Sequence, residues 1–152
     1  MRDADGRILA GARAPEGGFA DATRVLAGLP AEAAAPAFGR GAHHTTLAIV
    51  ATNALLDGTQ RAGLARAATA ALFRRITPTG TVFDGDVVFA LSPFEGELVR
   101  PPVQIEALAV RALERAIERA VRLARGRDGI PGLADDAGDP RGAGAADAAR
   151  GR

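Results

Sequence analysis

Thr45-Thr46-Leu47-Ala48-Ile49-Val50-Ala51-Thr52-Asn53-Ala54 is the stretch from which the fold of this chain is read. Two hydroxyl residues stand directly before a continuous apolar run, Leu47 to Ala51. Such a run without polar alternation predicts a strand over residues 45–53 that is buried on both faces. Downstream, Asp57-Gly58-Thr59 breaks the chain and offers a helix cap. Leu64, Ala67, Ala68, Ala71 and Leu72 then recur at helical spacing, with Arg61, Arg66, Arg74 and Arg75 mostly on the other side. This predicts a helix over residues 60–76, closed by Pro78 and Gly80. The acidic triplet Asp84-Gly85-Asp86 opens a second apolar strand over residues 86–92, ended by Pro93 and Gly96. Strand, helix and strand in that order predict an α/β fold class. Two such strands would carry a hydroxyl and two carboxylates toward one place.

The strongest helical pattern lies over residues 102–125. Ile105, Leu108, Ala109, Ala112, Leu113, Ala116, Ile117, Ala120, Val121 and Ala124 form a wide apolar stripe, and Pro101-Pro102 suits the first turn. Arg111, Arg115, Arg119 and Arg122 form a basic stripe broken by Glu114 and Glu118. A membrane or nucleic-acid contact is one reading of it; a solvated face with Glu–Arg pairs is the simpler one. Upstream, residues 6–14 read as a short strand centred on Ile8 and Leu9, and residues 15–42 as mostly loop, rich in Pro, Gly and Ala. Residues 127–152 hold almost no large side chains and read as a disordered tail.

Composition narrows the function. The 152 residues suffice for one domain with a modest core, 47% of them apolar and 24% charged. A net charge of +1 gives no field that argues for nucleic acid. The absence of cysteine removes disulfides, thiolate metal sites and a cysteine nucleophile. No apolar run reaches the length that spans a bilayer, and the first residues lack the apolar core of a secretory signal, so the expected setting is cytoplasmic. His43 and His44 are adjacent and have no third His or Cys to complete a metal site, so neither a metal nor another cofactor is expected.

A threonine hydroxyl is a weak nucleophile unless a base stands beside it. A free α-amino group titrates near pH ~8, so an N-terminal threonine can use its own amine as that base. For Thr45 this requires cleavage between His44 and Thr45. The plainer account is that threonine favours strands and often begins one. Asp84-Gly85-Asp86 likewise reads either as a tight turn into a strand or as carboxylates that orient the new amine, with Gly85 letting the backbone pass close to substrate.

In combination these pieces resemble the self-cleaving L-aminopeptidase/D-esterase family, which includes D-aminopeptidase A and the β-peptidyl aminopeptidases. Members carry a threonine or serine before an apolar strand ending Ala-Thr-Asp/Asn-Ala, matched here by Thr45 to Ala54. An Ile-x-Pro element follows a helix, here Ile76-Thr77-Pro78, and then an acidic or hydroxyl triplet with its strand, here Asp84 to Leu91. Gly6 to Arg13 is similar to the family's strand before the cleavage loop. The likeness runs over roughly residues 5–125, four motifs in order.

The resemblance implies part of an α/β/β/α sandwich, with helices 60–76 and 102–125 packed on a sheet. It divides the chain into a peptidase portion, residues 1–126, with a cleavage loop at 15–44 and the nucleophile strand at 45–53, and the tail at 127–152. It implies a metal-free hydrolase that removes N-terminal residues from small peptides, amides or esters. Thr45 matches the nucleophile, His44 the residue before the scissile bond, Asp84 a hydroxyl-or-acid position and Asp86 the acid that assists the nucleophile. Departures exist. His44 replaces the usual Asn or Gly, and Gly80 stands where a His often precedes the threonine, here Thr81. Family chains extend further at the N-terminus, where a second sheet and an oxyanion-hole Asn belong. The expectation is therefore a C-terminal part that needs its missing half, or a homo-oligomer, for stability and activity. Two alternatives stand beside this reading: an ornithine-acetyltransferase-like acyltransferase using a similar threonine, and a catalytically inert truncated or interaction domain.

Overall fold

Leu47 to Ala51 form strand β1 and Val87 to Leu91 form strand β2 in the computed structural model, which describes residues 1–30, 45–82, 84–97 and 100–135. The two strands pair in parallel, Leu47 opposite Val87 through Ala51 opposite Leu91, as a two-stranded sheet. Parallel neighbours need a long crossover, and a helix over Gly58–Arg75 supplies it. A short helix, Ala22–Ala27, precedes the sheet, and a long one, Pro102–Arg122, follows it. In chain order these helices are α1, α2 and α3. Helices packed on a parallel sheet make the fold α/β.

Helix α2 begins at a capping box. The Asp57 carboxylate accepts from the Gln60 backbone N–H at 2.8 Å, and the Gln60 side chain accepts from Asp57 N–H at 2.9 Å. Two otherwise orphaned donors are satisfied by this exchange. Leu64, Ala68, Ala71 and Leu72 make the buried face of α2. Together with Ala48 and Val50 of β1, Ala54, Leu56, and Ile105 and Leu113 of α3, they are the buried apolar residues. Leu64 and Leu72 are each only 1% exposed, and full burial of a leucine is worth about 1.5–3 kcal/mol. The alanines let the backbones approach closely, at the expense of apolar volume. Glu114 of α3 reaches across to Arg74 at 3.2 Å and Arg75 at 3.4 Å. So one of the acids breaking the basic stripe bonds between helices instead of along its own.

Three expectations need correction. Strand β1 is not buried on both faces: its burial alternates, with Leu47 69% and Ile49 64% exposed. Val87, Phe89 and Leu91 of β2 are exposed too, so among the described residues one face of the sheet is apolar and bare. The strand expected over 6–14 does not form. Those residues make only isolated bridges, Arg2 with Ile8 and Arg13 with Phe19. The segment is held by the Arg2 side chain instead, which donates to Thr77 Oγ1 (2.9 Å), Gly6 O (2.8 Å) and Asp21 Oδ2 (2.8 Å). Third, the stretch read as loop contains α1, capped by Asp21, whose carboxylate accepts from Arg24 N–H.

The chain divides into two units, Met1–Glu118 and Arg119–Arg152. In the second, Asp135 accepts from the backbone N–H of Gly126 and of Gly132, which hold its carboxyl below the ordinary value. Residues 126–135 thus form a hydrogen-bonded turn, within what the sequence reads as tail. The rest of that segment, residues 136–152, lies outside the described residues.

Candidate active site

Pairing β1 with β2 brings their N-terminal ends side by side, because the strands are parallel and Leu47 is opposite Val87. Each strand is preceded by one of the two polar motifs. Thr45-Thr46 and Asp84-Gly85-Asp86 therefore meet at one end of the sheet, as the sequence predicts. Thr46 is the hinge of this meeting. Its carbonyl accepts from Val87 N–H at 2.9 Å, the first rung of the ladder. Its N–H donates to Asp86 Oδ1 at 2.8 Å. Asp86 thus grips the peptide unit that joins Thr45 to Thr46.

The second oxygen of Asp86 is also occupied. Thr79 Oγ1 donates to Asp86 Oδ2 at 2.5 Å, the distance of a charge-assisted O–H···O⁻ bond. Burial alone would push the Asp86 carboxyl up. The Thr79 hydroxyl and the Thr46 amide and hydroxyl outweigh it and hold the group below its ordinary value. Asp86 is therefore a carboxylate at neutral pH.

Gly85 faces Thr45. A Cβ placed at Gly85 would lie 2.8 Å from Thr45 Oγ1. The glycine leaves room for the Thr45 hydroxyl itself, whereas the sequence reading assigned that room to substrate. Asp84 does something different from Asp86. Its Oδ2 accepts from the backbone N–H of Thr81 at 2.7 Å and from Thr81 Oγ1 at 2.8 Å. It closes the turn before β2 and makes no hydrogen bond to Thr45 or Thr46 in this structure. Thr45 is exposed, and His44 lies outside the described residues.

Two hollows flank this end and its opposite. One of about 220 Å³ is lined by Thr69, Leu72, Phe73 and the segment Thr79-Gly80-Thr81 together with Asp84 and Asp86. Gly80 takes φ +69° there and lies against the Phe73 ring, 2.7 Å from where a Cβ would sit, so no other residue fits without displacement. The other, about 360 Å³, lies at the far end of β1 against α3, where Ile49, Leu108 and Leu113 give it an apolar wall and Arg100 its charge. Among the described residues no group of three His, Cys, Asp or Glu side chains could hold a metal, and no helix is long and apolar enough to cross a membrane.

Of the residues gathered at this end of the sheet, Thr45, Asp84 and Asp86 are expected from the sequence, and Thr46 and Thr79 are not. Nothing in the spacing marks Thr79, because the turn after α2 decides where its hydroxyl points. The alternation of β1 does contain a signal for Thr46: a residue opening a ladder has its N–H free for a side chain across the sheet end.

The family model of Peptidase family S58 matches residues 11–133 of this chain. The chain belongs to that family, in agreement with the aminopeptidase resemblance read from residues 45–54 and 84–91. No curated protein and no solved structure matches it significantly. Membership places the protein among the peptidase-type hydrolases.

Proposed function

We propose, starting from that membership, that the protein is a self-processing aminopeptidase-type hydrolase in which Thr45 becomes the N-terminal nucleophile. The observation that supports this reading most is the contact of Thr45 Oγ1 with Gly85 while Asp86 grips the next peptide unit. A backbone held beside an unobstructed hydroxyl suits a nucleophile.

In the processing step Thr45 Oγ1 attacks the His44 carbonyl carbon, the 44–45 C–N bond breaks, and the nitrogen takes the hydroxyl proton. An ester between His44 and Thr45 results. Water cleaves it, giving a carboxylate at His44 and a free amine on Thr45. In turnover that amine, unprotonated for a fraction of molecules at neutral pH, accepts the proton of Oγ1 as the oxygen attacks a substrate carbonyl. The ammonium then protonates the departing amine or alcohol. Water attacks the acyl-enzyme ester and releases the acid. Asp86, ionised and doubly bonded, holds the backbone and favours the ammonium through its charge. Asp84, which lines the same hollow as Asp86, adds negative charge at that end of the sheet. Substrates are small peptides, amides or esters with a free amino end. The bare apolar face of Leu47, Ile49, Phe89 and Leu91 supports a further layer packing on the sheet, from the rest of an α/β/β/α sandwich or from a second copy.

Hydrolysis of amino-acid p-nitroanilides by the wild-type chain tests this reading. Release of nitroaniline that Thr45→Ala abolishes supports it. Transfer of an acetyl group to an amine acceptor without hydrolysis would favour an acyltransferase. Full activity in Thr45→Ala contradicts the assignment of the nucleophile.

A further inference from the structure

Thr79 lies outside both motifs that define the site, yet its hydroxyl is bonded to one of them. It stands four residues beyond the end of α2 at Arg75 and is half-buried. Its bond to Asp86 Oδ2 is 2.5 Å, shorter than the 2.8 Å bond from the Thr46 N–H to Oδ1. A carboxylate has one free torsion about its Cβ–Cγ bond and one about Cα–Cβ. A donor fixed on Oδ2 leaves Oδ1 a single direction, and that direction is the Thr46 amide. With the Thr46 carbonyl tied to Val87 N–H, both ends of the Thr46 backbone are then held. Thr45 is attached to the held peptide plane, and its side chain occupies the space that Gly85 leaves open.

We propose that Thr79 is a positioning residue for the Thr45 nucleophile: its hydroxyl locks Asp86 in the rotamer that grips the Thr46 amide. This rests on the reading of Thr45 as the nucleophile. The chain of contacts is Thr79 hydroxyl, Asp86 carboxylate, Thr46 amide, Thr45. Through it the turn after α2 sets where the reacting oxygen stands. Thr79 touches neither substrate nor the reacting atoms. The other carboxylate near this end, Asp84, is engaged by the Thr81 amide and hydroxyl and cannot replace Asp86 without breaking the turn.

The test compares wild type, Thr79→Val, Thr79→Ser and Thr77→Val in the full chain. Valine keeps the shape of threonine and removes the hydroxyl; serine keeps the hydroxyl. Thr77 Oγ1 accepts from Arg2 in the same turn, whereas Asp86 is bonded by Thr46 and Thr79, so Thr77→Val reports loosening of the turn alone. Two kinds of readout are taken, one spectroscopic and one kinetic. The first is the ¹⁵N–¹H resonance of Thr46 and the titration of the Asp86 ¹³Cγ. The second is the rate of chain splitting before Thr45, followed by intact mass. The expected result for Thr79→Val is a shifted Thr46 amide, an Asp86 midpoint raised toward the ordinary carboxyl value, and splitting slowed roughly tenfold or more. Thr79→Ser and Thr77→Val should match wild type in both. An unmoved Thr46 amide and Asp86 midpoint in Thr79→Val would overturn the proposal. So would equal slowing by Thr79→Val and Thr77→Val, which would make Thr79 a turn staple. If wild type does not split while the resonances behave as expected, the nucleophile reading fails and the Thr79 clamp stands.

Discussion

The two faces of the sheet differ in what they bury although both are apolar. On one, Ala48 and Val50 are 8% and 7% exposed, under Leu64, Ala68 and Leu113. On the other, Leu47, Ile49, Phe89 and Leu91 are all more than half exposed. The side chains on the bare face are larger than those on the covered one. The covered face is built for close approach of helices, with small residues under them. The bare face carries larger apolar side chains that nothing among the described residues covers. A sequence pattern therefore reports which residues are suited to burial, and only packing reports which are buried.

Substitutions on the two faces should separate most clearly at Leu64. Leu64→Ala removes a side chain that is 1% exposed and should cost about 2–5 kcal/mol in a denaturant titration. A loss under ~1 kcal/mol would mean the covered face is loosely packed. Asp57→Ala removes the capping box of the helix that covers this face, and should cost about 1 kcal/mol by the same measurement. Acidification probes the end of the sheet where the faces meet. The Asp86 carboxyl is held below its ordinary value of 3.8, so its contribution is fully present above that value. It is lost as pH falls through the lower, folded value. Melting temperature should therefore drop below about pH 4 by more in wild type than in Asp86→Asn. Phe89→Ser on the bare face should cost the chain alone no more than about 1 kcal/mol, since half of that ring is already exposed. A large loss there would show that something already covers the face.

The elements nearest residues 45–54 are the most legible in the sequence. The run Leu47 to Ala51 became β1, and Val87 to Leu91 lies within the second predicted strand. The Asp57 cap and the Leu64–Leu72 stripe set α2, and the Ile105–Leu113–Ile117 stripe set α3. Each is a local pattern with a strong period. Residues 6–14 misled because Ile8 and Leu9 are adjacent, so a strand would send one of them to each face. What orders them is the Arg2 guanidinium, reaching 75 residues along the chain to Thr77. Helix α1 has no buried residue and hence no apolar stripe to detect; only Asp21 as its cap marked it. At the site, Thr45 and the acidic triplet were legible because each precedes a strand. The division of labour between Asp84 and Asp86 was not. Both are acids of one triplet, and their different partners, Thr81 on one side and Thr46 with Thr79 on the other, come from the turn geometry.

The most direct measurement is the intact mass of the full chain over time after folding, for wild type beside Thr45→Ala and Gly85→Ala. The account predicts that wild type splits into two pieces, the second beginning with Thr45. It predicts that Thr45→Ala stays whole, and that Gly85→Ala, whose methyl would sit 2.8 Å from the Thr45 oxygen, splits far more slowly. A wild-type chain that remains one piece while hydrolysing amide substrates would contradict it.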